Sequence, residues 1–363
     1  MRVAVLHDHL RFIGGGERVV LTLARALDAD LYVTDLDAAL PQRAGMAEVR
    51  VTEIARVPTK PPLRQDRQAK AFGDLELPAY DAYVLSGNWT VFAAPRLRPN
   101  LWYCHTPVRV FYDLREAFLG SLPPLSRWAA RRWIERRRPQ YEEAVTAVER
   151  IVANSRNVAS RIERYLERTA DVVYPPVDTA RYRFRRVGDT WLAVTRLSHE
   201  KRLDLLVDVF RRLPEERIVV VGGPQMGADP DRFIRSLRPP DNVEFRGEIP
   251  EPELLELYAT CRGLVATSMD EDFGLTPVEA MASGKVVIAT DEGGYRETVI
   301  PGTTGWLVPA TPDAFARRVS GASTEELEAM RPACERRARD FDSSVFVSQM
   351  RRILGHRIES GSE

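Results

Sequence analysis

The stretch GLVATSMDEDFGLTPVEAMASGKVVIATDEGGYRE, Gly263–Glu297, contains a complete unit of the fold. GLVATS is an apolar run of strand length, VEAMASG reads as a helix closed by Gly284, and KVVIATD is a second apolar run beyond it. Two continuously apolar strands joined through a helix imply a parallel sheet covered on both faces. The same stretch carries charge: Glu271 lies in the loop after the first strand, Glu279 on the helix that Pro277 helps to start, and Glu297 just past Gly293-Gly294. Acids near a helix start need no ligand, because the helix dipole favours them. The other possibility is a small-molecule pocket. There, Glu271 or the backbone around Phe273, Gly274 and Leu275 would meet hydroxyls, and Glu279 would accept both hydrogens of a vicinal diol.

The alternation extends in both directions. DTWLAVTRL, LDLLVDVFRRL, RIVVVGG, DPDRFIRSL, NVEFRG and PELLELYATC continue strand and helix in turn. Near the start, the apolar run Arg2 to Leu6 leads into Gly14-Gly15-Gly16 and then Val19, Val20, Leu23 and Leu27 at helical spacing. LYVTDLD, YDAYVLSGN and NLWYCHTP read as further strands. The Pro-Pro pair of VVYPPVD makes an extended connector. The expected fold class is therefore α/β with two Rossmann-like domains, over residues 1–174 and 175–342. An amphipathic helix follows over 343–358, and pattern alone does not say which half it packs on.

A chain of 363 residues supplies two cores. With 44% hydrophobic and 29% charged residues it is a folded globular protein, not a disordered one. Fifty-two basic residues balance fifty-two acidic ones, so nothing in the net charge calls for nucleic acid. Cys104, Cys261 and Cys334 are scattered without CxxC spacing, which argues against a zinc knuckle or disulfide scaffold and fits a reducing cytoplasm. There is no run of 18 apolar residues, and MRVAVLHDHL meets charge too soon for a signal peptide. The expected location is cytoplasmic, with peripheral attachment at the inner face of a membrane left open.

Open parallel sheets bind ligands beyond the carboxyl ends of their strands, and the chemistry-bearing residues gather there. Gly15 and Gly16 form a loop whose backbone can approach a ligand, ahead of a helix with free N–H groups; a plain turn is the other reading. The loop is neither GxGxxG nor GxxxxGK[ST], so nicotinamide and P-loop signatures are missing. Arg196 and Lys201 are cations after one strand, able to neutralise a diphosphate or to make surface ion pairs. Gly222-Gly223-Pro224, Arg246-Gly247 and Gly293-Gly294 end others. Arg246 and Gly247 either read a base or are connection geometry. His105 ends YCHTP and either donates to a hydroxyl or phosphate or fills the core. His7, Asp8 and His9 crowd together, but strand neighbours face opposite ways, so no metal site is expected. LSRWAARRWIERRR, 125–138, is either a membrane or acceptor patch or a solvated helix with inward tryptophans.

EDFGLTPVEAMASG with the following Gly293-Gly294-Tyr295-Arg296-Glu297 resembles the E-x7-E motif of retaining glycosyltransferases of family 4. TRLSHEK resembles that family's cationic element, and HDHLRFIGGGERV its first loop. YCHTPVR and TRLSHEKRLD are similar to the mannosyltransferase-like branch of surface-polysaccharide synthesis. Thr195, Arg202 and Asp272 stand where glycines are usual in that family. The resemblance implies a GT-B fold, two Rossmann-like domains facing across a cleft, with the C-terminal helix returning to the first. It implies Arg196 and Lys201 on the donor diphosphate, Glu279 on the ribose, Glu271 on the transferred sugar and His105 near the reacting centre. Gly15 and Gly16 would close on donor and acceptor. The donor would be a GDP- or UDP-linked hexose, mannose foremost, with no metal or other cofactor, and the acceptor a glycan or lipid-linked hydroxyl. Two alternatives remain: an epimerase or hydrolase on the same fold, and an inactive nucleotide-sugar-binding protein.

Overall fold

The computed structural model describes residues 1–223 and 229–360, which form two compact units. Unit 1 takes Met1–Pro176 together with the chain from Phe346 onward; unit 2 is Val177–Val345.

Among the described residues, unit 1 has a seven-stranded sheet: β1 (Val3–Leu10), β2 (Asp30–Leu36), β3 (Val51–Ala55), β4 (Ala82–Ser86), β5 (Asn100–Cys104), β6 (Arg150–Ala153) and β7 (Asp171–Val172). All neighbours are parallel, in the order β3-β2-β1-β4-β5-β6-β7. The central strands are buried on both faces, which is why they read as unbroken apolar runs. Alternate residues serve different cores. Ala4 and Leu6 join Leu85, Trp102, Phe111 and Tyr141 in one cluster. Val3 and Val5 join Val84, Tyr103, the helix residues Val19, Val20 and Leu23, and Phe346, Met350 and Leu354 in the other. The C-terminal helix Ser343–Ser360 thus contributes apolar side chains to the core of unit 1.

Unit 2 repeats the plan with β8 (Thr190–Val194), β9 (Arg217–Val221), β10 (Val243–Gly247), β11 (Leu264–Ala266), β12 (Val287–Thr290) and β13 (Gly305–Val308). Among the described residues its sheet has six parallel strands in the order β10-β9-β8-β11-β12-β13. In each sheet the first strand has neighbours reached by crossovers in opposite directions, β2 and β4 around β1, β9 and β11 around β8. That reversal is the topological switch point, where doubly wound sheets open a crevice at the carboxyl ends.

Some elements gave no sequence signal. β3 and β13 are edge strands of mostly half-buried residues, without the unbroken apolar run that marks an inner strand. The helices Pro312–Ser320 and Thr324–Arg339 carry so much charge that their apolar stripe is thin.

Candidate active site

In unit 2 the switch point carries a largely buried ion pair. Lys201 lies in the tight turn His199–Lys201 after β8, and its Nζ donates to Glu271 Oε2 at 2.7 Å; the two side chains are 13% and 18% exposed. Burial alone would raise the Glu271 carboxyl. The Lys201 ammonium, hydrogen bonds from Lys201 and Ser268 and the charge of Arg196 outweigh it, holding the group below its ordinary value. Tyr295 OH also donates to Glu271 Oε2, at 3.4 Å. Arg196 itself is exposed.

The backbone explains why these residues meet. Thr267 Oγ1 donates to the Lys201 carbonyl at 2.8 Å and Met269 N to the Glu200 carbonyl at 2.7 Å, tying the two loops together. Gly293 and Gly294 lie directly against the Glu271 loop: a Cβ on Gly293 would reach Glu271 O at 2.5 Å, and one on Gly294 would reach Phe273 Cα at 2.4 Å. Gly294 N donates to Glu271 O at 2.8 Å. Tyr295 covers Gly274, whose φ of 92° starts the helix Leu275–Ala282. Phe273 is buried and Leu275 half-buried beside them. Arg202 occupies a left-handed conformation at φ 47°, a backbone region that favours glycine. Its guanidinium donates to Glu292 at 2.9 Å, and Glu292 also accepts from Asp270 N at 3.1 Å.

Glu279 lies on the helix after this loop, and its Oε2 accepts from the buried Tyr258 hydroxyl at 2.7 Å. Gly223 and Gly247 serve as backbone joints: Leu197 N donates to Gly223 O and Gly222 N to Gly247 O, both at 2.9 Å. A Cβ on Gly222 would strike Thr195 O at 1.9 Å. Pro224 of that turn lies outside the described residues. Arg246 pairs with Glu244 at 2.7 Å and Glu253 at 3.4 Å. A cavity of about 840 Å³ at the amino ends of β8 to β10, lined by Thr190, Trp191, Arg217 and Asn242, is at the opposite edge from those loops.

Unit 1 has its own cluster at its switch point, where His7 and Ser86 are the last register partners of β1 with β4. His7 Nδ1 donates to the Ser86 carbonyl at 2.7 Å, and its Nε2 faces Glu17 Oε1 at 3.9 Å. Burial would lower the His7 pKa, but Glu17, Asp8 and the Ser86 carbonyl raise it above the ordinary value. His105 Nε2 is 2.9 Å from Ser86 Oγ, and burial with the adjacent charge of His7 pushes it down to about 3. The two rings are 6.1 Å apart. Gly16 sits over both: a Cβ there would lie 3.7 Å from the His7 ring and 3.8 Å from that of His105. Gly15 begins the helix Gly15–Leu27. Strand alternation turns Asp8 the other way, to accept from the N–H groups of Asn88 and Trp89 at 2.8 and 2.9 Å.

Tyr295 falls within the Gly293–Glu297 run, but the partners supplied by Ser268, Tyr258, Ser86 and Glu17 are not legible as motifs. Glu17 alone left a trace, as the third helical residue after a glycine, where a side chain turns back onto the capping N–H.

Two doubly wound parallel sheets, each with charged residues at its switch point, define an α/β protein built from paired Rossmann-like domains. Residues 13–181 match the family described as Glycosyltransferase Family 4, and residues 184–341 match Glycosyl transferases group 1. A lipopolysaccharide core biosynthesis mannosyltransferase, LpcC, of Rhizobium leguminosarum is 30% identical over 271 residues, covering 68% of this chain and 73% of that protein. The chain belongs to this family of glycosyltransferases. A D-inositol 3-phosphate glycosyltransferase of Frankia alni is 34% identical over 163 residues, 38% of this chain and 40% of that protein, so the match spans well under two thirds of that relative. The solved structure of Anabaena HepE in complex with UDP and glucose superposes with a TM-score of 0.74 at 19% identity, over 98% of this chain and 100% of that one. The fold is GT-B.

Proposed function

We propose that the chain is a retaining glycosyltransferase that moves a hexose from a nucleoside-diphosphate sugar to a glycan or lipid-linked acceptor hydroxyl, with mannose from GDP-mannose as the leading donor. The observation that carries this is the Lys201–Glu271 pair beside Arg196 at the switch point of the second sheet. A diphosphate placed there meets two cations, and Glu271 keeps one of them in position. The similarity to a protein named as a mannosyltransferase favours mannose; the UDP of the HepE complex keeps a UDP-hexose as the competing donor.

In this mechanism the bond from the sugar C1 to the diphosphate oxygen breaks first, and its electron pair leaves with the diphosphate. Arg196 and Lys201 stabilise that charge as it grows. The acceptor oxygen then bonds to C1 on the face just vacated, and its proton passes to a departing phosphate oxygen. The configuration at C1 is kept without a pair of hydrolase-type carboxylates. Glu279 serves the ribose hydroxyls, and Tyr258 fixes one of its oxygens so that the other faces a diol.

The test is NMR analysis of products formed from GDP-, UDP- and ADP-sugars with free and lipid-linked glycan acceptors, with and without EDTA. An α-linked product from an α-configured donor, formed with EDTA present, supports the proposal. Conversion or binding of donor with no glycoside formed, across the whole panel, overturns it.

The acceptor side of the proposal includes an anionic lipid surface. At the start of the helix Pro124–Thr146, residues 125–129 are all exposed, with Leu125 at 79% and Trp128 at 61%, and Phe118 stands at 36% on the preceding helix. Exposed Arg127, Arg131 and Arg132 surround them, Arg132 lying 5.7 Å over the Trp128 ring. Further along, Trp133, Arg136 and Arg137 all turn to Asp66, so the two tryptophans part ways. Apolar tips among cations suit the interface of a negatively charged bilayer.

A further inference from the structure

The Gly14–Gly16 loop, His7 and His9 meet at one carboxylate. Glu17 Oε2 accepts from Gly14 N at 3.1 Å, while its Oε1 lies 3.9 Å from His7 Nε2 and 3.6 Å from His9 Nδ1. The side chains of Glu17 and His7 are 8% and 7% exposed, so water does little to replace these contacts. His7 Nδ1 donates to the Ser86 carbonyl, and its Nε2 faces the Glu17 carboxylate at 3.9 Å, beyond hydrogen-bond reach but within ion-pair distance. A carboxylate held that close in a buried site favours the imidazolium. His105 shares Ser86 with it, through the hydroxyl, and lies edge-on to the His7 ring.

On the reading that this chain transfers a sugar, we propose that Glu17 is a positioning residue for His105. One carboxylate fixes the backbone of the Gly14–Gly16 loop and keeps His7 as the imidazolium beside which His105 stays a neutral ring. A neutral imidazole has one N–H and one lone pair, so it can orient a hydroxyl while carrying no charge of its own. The burial of His105 and its closeness to His7 act in the same direction, pushing its pKa down to about 3. The other ionisable groups acting on this set are Asp8, His9, Arg11 and Arg64. Asp8 adds to the charge favouring His7⁺, while Arg11 and Arg64 act mainly on His9, which burial takes to about 4.

The experiment is a titration of histidine ring resonances by NMR in ¹³C,¹⁵N-histidine-labelled protein, wild type and Glu17→Gln, alongside steady-state kinetics with whichever nucleotide sugar turns over. The amide oxygen of the Glu17→Gln side chain can still accept from Gly14 N, so the loop tether is kept while the charge is removed. In the wild type, His7 should titrate with a midpoint above 6.5, and His105 should stay neutral down to at least pH 5. In Glu17→Gln, the His7 midpoint should drop by about one pH unit or more. The basic limb of kcat should move acidward with it, with the donor KM changed less than threefold.

A wild-type His7 that titrates at or below 6.5, or a variant with an unchanged His7 midpoint, overturns the pairing. A shifted midpoint with an unchanged pH profile of kcat overturns its role in positioning. The resonances report on the pair even if no donor turns over, in which case it is the transferase proposal that fails.

Discussion

Lys201 and Glu271 are joined at 2.7 Å, with less than a fifth of either side chain in contact with solvent. Breaking a fully buried ion pair from one side costs about 3–5 kcal/mol, because the remaining charge is left uncompensated; partial solvent access here should bring that to about 2 kcal/mol. Lys201→Ala should therefore lower the urea midpoint of unit 2 and weaken nucleoside-diphosphate binding, with kcat/KM falling about 100-fold. A double variant with Glu271→Gln should regain much of the stability and none of the activity. Calorimetry with GDP and UDP, together with denaturation, checks both, and wild-type kinetics in Lys201→Ala would discard the site.

At Arg202 two small effects oppose each other. A non-glycine residue in the left-handed region costs about 1–2 kcal/mol, whereas its half-exposed ion pair with Glu292 returns about 0–1 kcal/mol. Backbone strain outweighs the pairing, so Arg202→Gly should be neutral or up to about 1 kcal/mol more stable, read as the chemical denaturation midpoint. A loss above about 1 kcal/mol would mean that the Glu292 contact holds the Asp270 loop more strongly than its exposure suggests.

Gly294 has no room for a methyl group, since the nearest contact would be backbone at 2.4 Å. Gly294→Ala should push Phe273 and Glu271 out of register and reduce kcat/KM at least tenfold, whereas Gly302→Ala should leave turnover unchanged. Gly302 has open space, and its positive φ adds strain only far from the Glu271 loop.

Acid should weaken the fold before most carboxylates titrate. His9 and His105 are held neutral in the native state, at about 4 and 3, while the unfolded chain protonates its histidines near 6.5. The unfolded state therefore binds more protons between those limits, and stability is lost as pH falls from about 6.5 towards 4. His7 has the opposite sign: its raised pKa gives stability that is fully present below 6.5 and is lost as pH rises through its folded value. Melting temperatures from pH 4 to 9 should show the acid loss, and His9→Asn with His105→Asn should flatten it.

Replacing Leu125 and Trp128 with glutamate should abolish sedimentation with phosphatidylglycerol vesicles at low salt while leaving turnover of a soluble acceptor near wild type. Binding that survives in the variant, or equal binding to neutral vesicles, would assign the patch to something other than an anionic bilayer.

The sequence showed most of the scaffold, because buried parallel strands leave continuous apolar runs and the glycines at their ends have backbone reasons to be there. It also flagged Arg196, Lys201 and Glu271 beyond strand ends, and Glu279 on the helix that follows the Glu271 loop. It could not show what those groups hold. That Glu279 faces Tyr258 depends on a contact between two helices, and that Arg246 turns to Glu244 depends on a rotamer. The crowd at His7, Asp8 and His9 was legible as a cluster, but its meaning came from alternation: the two histidines share a face with Glu17, and Asp8 leaves for the other. Trp128 and Trp133 differ by five positions on one helix, and what separates the exposed one from the packed one is tertiary: Trp133 meets Asp66, Trp89 and Phe111.

Phe346, Met350, Ile353 and Leu354, each at most 6% exposed, complete a core whose other buried members are drawn from the first half of the chain. During synthesis, then, the first unit cannot close over that face until residues 346–354 have left the ribosome, by which time every strand of the second sheet is already outside. The unit begun first waits for the other, and a stop codon just ahead of Phe346 would damage the fold at its beginning.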